Sequence, residues 1–282
     1  MKKERYALIG WPVAHSASPL MQEAAFRAAG RDASYELIAV PPEKLSEAVQ
    51  RLQKEGYSGW NVTVPHKEAV LPLMDILDPE AEKTGSVNTV LPKQGKLWGY
   101  STDGYGLARA LERNFQLQIS GTCILFLGTG GAARAAAVYA AIKGASVITL
   151  VNRTLSRAEA VAESIRRVSP ACQVRVLSLS DQSAVTAAMK EAQVLIHSTS
   201  LGLHPQDPMP FPPQKIPSGL PVFDMIYGNT SFQQCLRSQG NPVASGWDML
   251  LYQGCRSFEL WTGLPAPEQA MRQALINQVM RQ

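Results

Sequence analysis

Apolar residues recur along this chain of 282 residues in two rhythms, short runs of strand length and longer stretches with the helical period. Strands are expected at 6–10, 35–40 and 61–63, followed by segments with one apolar helical face at 20–29, 42–55 and 68–77. Ser18 and Pro19 supply an N-cap and an N1 proline for the first helix, and Gly30 ends it. After Asp78 and Pro79 a polar connection leads to a further stretch, 85–91, and Ser101-Thr102-Asp103-Gly104 precedes a helix over 105–114. The second half opens on an unbroken apolar run, 122–127, suited to a strand buried on both faces of a parallel sheet. Helices at 134–143, 155–168 and 183–190 then alternate with strands at 146–151, 174–177 and 194–196. The proline-rich stretch 205–221 reads as loop and 222–227 as a short strand. Residues 247–282 are mainly helical, with Trp247, Leu250, Leu251, Phe258 and Trp261 supplying apolar surface that must pack. Strand and helix in alternation predict an α/β protein built on parallel sheets.

Composition narrows the class. At 45% hydrophobic and 18% charged the chain is ordinary globular material, long enough for two domains. No apolar run approaches the roughly 20 residues of a membrane helix, and Met-Lys-Lys-Glu-Arg leads into Tyr6-Ala7-Leu8-Ile9 without a signal-peptide pattern. A soluble, cytoplasmic protein is expected. The four cysteines lie far apart and the four histidines form no pair at ligand spacing, so neither disulfides nor a metal is indicated. A formal charge of +4 with no basic block argues against nucleic acid and is compatible with anionic small molecules.

In the first half the chemistry gathers around Asn61-Val62-Thr63-Val64-Pro65-His66-Lys67. Pro65 is expected to stop the strand and start a helix with Lys67 in its first turn, where the helix end disfavours an ammonium by a few tenths to about 1 kcal/mol. A lysine so placed suits proton exchange near neutral pH; a solvated surface lysine is the other reading. Ser16 and Ser18 put two hydroxyls beside the free N–H groups of the first helix, a seat for a carboxylate or phosphate, or else a cap and a loop residue. Asp103 reads equally as the N-cap of the helix after it. Ligands of open α/β sheets sit at the carboxyl ends of the strands, where Asn61, Thr63, Lys67 and Asn88 would converge.

In the second half Gly128-Thr129-Gly130-Gly131-Ala132-Ala133 follows the apolar strand at once and opens the alanine-rich helix. Strand, glycine turn, helix and strand is the context in which such a motif reads as dinucleotide binding, because glycines admit a pyrophosphate and the helix N-terminus stabilises its charge. Where an acid would bind the ribose of NAD, the chain has Asn152-Arg153-Thr154-Leu155-Ser156-Arg157. Two arginines and no acid suit a 2′-phosphate, so NADP(H) is expected; solvated arginines at a strand end are the alternative.

Seven stretches taken together resemble the shikimate dehydrogenase family over nearly the whole chain: Gly10-Trp11-Pro12-Val13 with His15-Ser16-Ala17-Ser18-Pro19, the 61–67 stretch, Gly85-Ser86-Val87-Asn88-Thr89, Thr102-Asp103-Gly104, the glycine turn, Asn152-Arg153-Thr154, and Met249-Leu250-Leu251-Tyr252-Gln253. The resemblance implies an N-terminal parallel or mixed α/β substrate domain, 1–104, a Rossmann-type NADP domain, 105–246, and C-terminal helices, 247–282, returning to the first, with the active site in the cleft between domains. It implies Lys67 and Asp103 as the catalytic pair and Ser16, Ser18 and Tyr227 as ligands of the substrate carboxylate. Asn61, Thr63, Asn88, Asp103 and Gln253 would meet ring hydroxyls. The NADP(H) set would be Gly128, Thr129, Gly130, Gly131, Ala132, Asn152, Arg153, Thr154, Arg157, Thr199, Met225, Gly246 and Met249. The implied reaction is reversible NADPH-dependent reduction of 3-dehydroshikimate to shikimate on the way to chorismate and aromatic amino acids, by a monomer or homodimer with no metal.

Three places depart from the family pattern. His197-Ser198-Thr199-Ser200 stands where Asn-Ala-Thr-Ser is usual, which favours a structural His197 over one beside the cofactor. The segment after Tyr227 is shortened to Gly228-Asn229-Thr230, and Trp247-Asp248 replaces smaller, uncharged residues after Gly246. Two rival readings stay open, a relative acting on quinate or preferring NAD, and a non-catalytic ligand sensor on the same scaffold.

Overall fold

The structure is a computed structural model describing residues 3–204 and 206–279, and it divides into two compact units at Gly106/Leu107 and at Met249/Leu250. Unit 1 begins with β1 (Glu4–Gly10), α1 (Ser18–Ala28), β2 (Ala33–Ala39), α2 (Leu45–Lys54) and β3 (Gly59–Val62). After β4 (Ile76–Leu77) and α3 (Pro79–Thr84) come β5 (Thr89–Lys93), β6 (Lys96–Tyr100) and the first turn of α4 (Asp103–Phe115). Its sheet runs β2-β1-β3-β5-β6-β4 and is mixed: β5 pairs antiparallel with both β3 and β6, the other pairs being parallel. The antiparallel step has a local cause in Gln94-Gly95, both at positive φ, which makes the two-residue turn that joins β5 to β6.

Alternation along the strands splits unit 1 into two packed faces. Ala7, Ile9, Trp60 and Val62 point to one side, where Leu45, Ala48, Val49 and Leu52 of α2 complete a buried cluster. Tyr6 points to the other, stacked on Phe26 of α1 with ring centroids 4.5 Å apart and 5.0 Å from Trp261. Gly59 has to be glycine, since a Cβ there would collide with the Trp261 ring.

Unit 2 contains the rest of α4 and then β7 (Cys123–Leu127), α5 (Gly131–Ile142), β8 (Val147–Asn152), α6 (Leu155–Val168), β9 (Gln173–Ser178), α7 (Gln182–Glu191) and β10 (Val194–His197). It closes with β11 (Val222–Asp224), α8 (Ser231–Ser238), β12 (Val243–Ser245) and the first residues of α9 (Trp247–Thr262). All six strands are parallel in the order β12-β11-β10-β7-β8-β9, the doubly wound Rossmann arrangement. Leu125, Leu127, Leu195 and Val222 meet Val185 and Met189 of α7 and Phe232 and Leu236 of α8 in one core. From Leu250 the chain belongs to unit 1 again, where α9 continues and α10 (Glu268–Val279) packs on α1. Of the apolar residues left over from the sequence pattern, Phe258 packs on Phe26 of α1 with ring centroids 5.7 Å apart, and Trp261 lies on the first sheet beside Tyr6 and Gly59. Among the described residues no helix is long and apolar enough to cross a membrane.

Three local expectations are corrected. The helix expected over 68–77 is a run of turns, a 3-10 turn at Leu71–Leu73 and the short strand β4. Pro72 has no N–H to give and crowds the preceding turn, so the apolar period of this stretch cannot be realised as a helix. Ser18 is the first residue of α1, not its cap; the Ser16 hydroxyl takes up the Ser18 N–H at 3.2 Å instead. The strand expected over 222–227 stops at Asp224, whose carboxylate captures the N–H of Ile226 at 3.0 Å and turns the chain.

Candidate active site

Lys67 follows β3 in a segment held by its neighbours. The His66 ring is buried with Nε2 2.6 Å from the Val40 carbonyl, and the Lys67 carbonyl accepts the Val87 N–H at 2.8 Å. The ammonium therefore has a fixed root, and it donates to Asp103 Oδ2 at 2.6 Å. Both side chains are largely withdrawn from water, 15% and 6% exposed, so their attraction is screened far less than that of a surface ion pair. Asp103 starts α4, and its other oxygen accepts Asn88 Nδ2 at 3.0 Å. The same amide nitrogen lies 2.9 Å from Thr102 Oγ1 and 3.4 Å from Gln253 Oε1. Lysine, carboxylate, asparagine and glutamine from four separate stretches thus form one connected polar set.

A second set adjoins it. Asn61 Nδ2 shares its two hydrogens among the Asn88 carbonyl, Thr89 Oγ1 and Ser257 Oγ, all at 2.9 to 3.0 Å, and Oδ1 accepts the Tyr35 hydroxyl at 2.7 Å. Burial pushes the Tyr35 hydroxyl well above its ordinary range, against a hydrogen bond with Ser18, so it acts as a donor. Ser18 in turn lies 3.1 Å from Ser16, Oγ to Oγ, which links the serine pair through Tyr35 to Asn61. The Asn61 amide nitrogen is thus taken up by protein partners, while Oδ1 accepts only the Tyr35 hydroxyl among the described residues and keeps a lone pair. Thr63 packs its methyl where Gly10 has no side chain.

In unit 2 the predicted dinucleotide residues lie along the carboxyl ends of the strands: 128–132 after β7, 152–157 after β8, Thr199 after β10, Met225 after β11, Gly246 after β12 and Met249 in α9. Gly128 has φ +104° and its backbone abuts the 198–199 segment, a Cβ there falling 2.8 Å from the Thr199 methyl. A Cβ at Gly130 or Gly131 would meet nothing within 4 Å, so the N-terminus of α5 is an open cradle of the kind a pyrophosphate fills. The Thr129 hydroxyl beside it is buried without a partner among the described residues. Arg153 and Arg157 are exposed at the end of β8, with no acid in 152–157 to neutralise them. The residues fit a dinucleotide carrying an additional phosphate.

His197 is fully buried between Asp224 and Thr199, as its departure from the family pattern suggested. Tyr227 belongs to unit 2, whereas Ser16 and Ser18 belong to unit 1; its ring stacks on Trp247 with centroids 4.8 Å apart. Several residues that hold these sites were not read from the sequence. Ser257 lies one helical turn beyond Gln253, a spacing that places both on one face of α9, and a carboxylate inside Val-Phe-Asp-Met-Ile marks Asp224. Tyr35 and Thr102 carry no such local signal.

A parallel doubly wound sheet with an open glycine turn, and a separate unit carrying a buried lysine–carboxylate pair, define the class as dinucleotide-dependent α/β oxidoreductases. Family models match along the chain: the shikimate dehydrogenase substrate binding domain over residues 8–90, shikimate / quinate 5-dehydrogenase over 109–204, and the shikimate 5′-dehydrogenase C-terminal domain over 246–276. Shikimate dehydrogenase (NADP(+)) of Methanopyrus kandleri is 40% identical over 273 residues, 95% of this chain and 93% of that one. The crystal structure of shikimate 5-dehydrogenase from Thermus thermophilus in complex with NADP(H) and shikimate superposes with a TM-score of 0.85 at 34% identity, covering 97% of this chain and 99% of that one. The Listeria monocytogenes enzyme, in complex with shikimate and NAD, gives 0.90 at 31%, covering 97% and 96%. The chain belongs to the shikimate dehydrogenase family, an NADP-dependent group of oxidoreductases.

Proposed function

We propose that this chain interconverts 3-dehydroshikimate and shikimate with NADP(H), the NADP-dependent step of the route to chorismate and aromatic amino acids. Residues 1–104 with 247–282 form the substrate-binding domain and 105–246 the dinucleotide-binding domain. The observation that carries the reading is the buried Lys67–Asp103 pair, in a chain whose relatives carry this activity along nearly their whole length. The cofactor, when bound, supplies the hydride. The protein supplies the proton. Lys67 donates one to the oxygen of the ketone as it becomes an alcohol and takes it back in the reverse direction, while Asp103 orients the ammonium and accepts from a substrate hydroxyl. Asn88, Gln253, Asn61 and Thr63 hold the remaining ring hydroxyls, and Ser16, Ser18 and Tyr227 the carboxylate. The nucleotide lies over Gly128, Thr129, Gly130, Gly131 and Ala132 with its 2′-phosphate against Asn152, Arg153, Thr154 and Arg157, and Thr199, Met225, Gly246 and Met249 complete its site. The enzyme works in the cytoplasm as a monomer or homodimer.

The test is absorbance of the reduced nicotinamide with shikimate or quinate crossed against NADP or NAD. Turnover is expected with shikimate and NADP. Faster turnover with quinate or with NAD would move the chain to the broader branch, a choice raised by the NAD complex of its Listeria relative. Binding of both ligands with no turnover in any pairing would make it a sensor.

A further inference from the structure

His197 ends β10 with each ring nitrogen committed: Nδ1 lies 2.8 Å from Asp224 Oδ1 and Nε2 2.6 Å from Thr199 Oγ1. Among the described residues the other groups on the Asp224 carboxylate are donors, the Ile226 N–H at 3.0 Å, the Gln233 amide at 2.9 Å and the Thr230 hydroxyl at 3.4 Å. A carboxylate among donors only accepts, so the histidine carries its hydrogen on Nδ1. In a neutral ring Nε2 is then a lone pair, and the Thr199 hydroxyl must donate to it. Leu201 N–H takes a lone pair of the same oxygen at 3.1 Å.

These bonds hold the Thr199 hydroxyl inward and fix the rotation of its side chain. What Thr199 turns to the glycine turn is its methyl, against Gly128. Ser198, the residue between, donates its N–H to the Leu127 carbonyl at 2.9 Å and shares its one hydroxyl hydrogen between the carbonyls of Leu127 and Gly128 at 3.1 and 3.0 Å, so the end of β10 is stitched to the start of the turn. β7 and β10 are the neighbours at which the strand order reverses, where dinucleotides lie in this fold. We propose that His197, clamped by Asp224, is a positioning residue for the dinucleotide: it sets the Thr199 side chain against Gly128 and so shapes the wall of the nucleotide crevice. The inference rests on the dinucleotide reading of unit 2 and is independent of which acid is the substrate.

Asparagine at 197 places an amide near Nδ1 and keeps a donor for Asp224 without reaching Thr199, whereas glutamine reaches the place of Nε2. NADP+ titrations of the whole protein, followed by intrinsic fluorescence and paired with thermal melts, separate positioning from folding. His197→Asn is expected to melt somewhat below wild type, since its bond to Thr199 is lost in the free protein as well, and, while folded at the titration temperature, to bind NADP+ about fivefold more weakly, and His197→Gln to restore both. Thr199→Ser, which keeps the hydroxyl and removes the methyl, is expected to weaken binding on its own and to leave little for His197→Asn to add. Wild-type affinity in either His197→Asn or Thr199→Ser overturns the inference, as does a full penalty from His197→Asn in the Thr199→Ser background. Should His197→Asn fail to fold, Thr199→Ser alone decides. Failure of the wild-type protein to bind NADP+ would instead sink the dinucleotide reading itself.

Discussion

Lys67 Nζ and Asp103 Oδ2 stand 2.6 Å apart although 36 residues separate them in sequence, one after β3 and the other at the start of α4. Neither is placed there by helix chemistry. The α-helix end expected beside Lys67 is absent, and Asp103 is inside α4 at its first position, so the partner each finds is the other. In the proposed reaction this bond would hold the proton donor toward one oxygen.

Removing that donor should therefore cost rate more than binding. Lys67→Ala is expected to lower kcat by about 10²- to 10⁴-fold, the usual share of a positioned general acid, with the dissociation constant of shikimate changed far less. Asp103→Asn should also lower kcat. Steady-state rates alongside calorimetric titration check both, and a Lys67→Ala enzyme that keeps its kcat would remove the lysine from the proton path.

In the proposed nucleotide site Arg153 and Arg157 would carry the preference for a phosphate. Each charge-assisted bond lost is expected to raise the KM for NADP about tenfold or more while the KM for NAD stays nearly level, since NAD offers those arginines no phosphate. Arg153→Ala and Arg157→Ala, assayed with both nucleotides at low salt, give the ratio. An equal loss with NADP and NAD would place the arginines outside the nucleotide site.

How much of this could be read from the chain differs between the two halves. The Rossmann unit was legible because its strands are continuous apolar runs, its turns are marked by glycine, and each helix follows its strand at short range. Unit 1 was legible in its first three strands and less so after Pro65, where apolar period and proline chemistry conflict and Pro72 decides against a helix. The Gln94-Gly95 hairpin carries a usable signal, a glycine in a two-residue gap between short runs, but the first of its residues is an uncommon one for positive φ. At the candidate site the motifs pointed to Lys67, Asp103, Asn88 and Gln253, which the structure brings together, and the residues that hold them came only with the structure. Tyr35 reaches Asn61 across the sheet and Ser257 reaches it from the last third of the chain, distances that no local pattern encodes.

The Glu4 carboxyl offers a test of stability against pH. Partial burial pushes it upward, but hydrogen bonds from Arg31 at 2.6 Å and from the Tyr6 hydroxyl at 2.7 Å outweigh this and hold it below its ordinary 4.5. A carboxyl depressed by folding adds stability that is present in full above 4.5 and is lost as pH falls through the folded-state value. Glu4→Gln should thus lower the melting temperature at pH 7, and the gap to wild type should close on acidification below 4.5. A gap that stays constant with pH would mean the carboxylate charge contributes nothing.

Thiol reactivity should follow burial. The Cys255 thiol is pushed up to about 12, first by burial and then by Glu268 and Glu259, and burial also raises Cys172. Since the thiolate is the reacting form, both are expected to resist iodoacetamide at pH 8 in the folded protein, while half-buried Cys123 and Cys235 are modified first. Mass spectrometry of the alkylated peptides reads the order, and early labelling of Cys255 would show that α9 opens readily from its sheet.

Trp261 fastens the returning C-terminal segment to the first sheet. Its ring lies beside Tyr6 and over Gly59, and Nε1 donates to the Val90 carbonyl at 3.0 Å. Trp261→Ala is expected to cost about 3 to 5 kcal/mol in urea unfolding, from the cavity and the lost bond together. Gly59→Ala destabilises by the opposite route, since its methyl enters space the indole already fills. The two should not add. With the indole gone, the methyl at 59 occupies part of the vacated volume, so the double variant is expected to be more stable than the sum of the single losses predicts. Strict additivity would mean that Gly59 and Trp261 do not share that space and that the glycine at 59 answers to some other constraint.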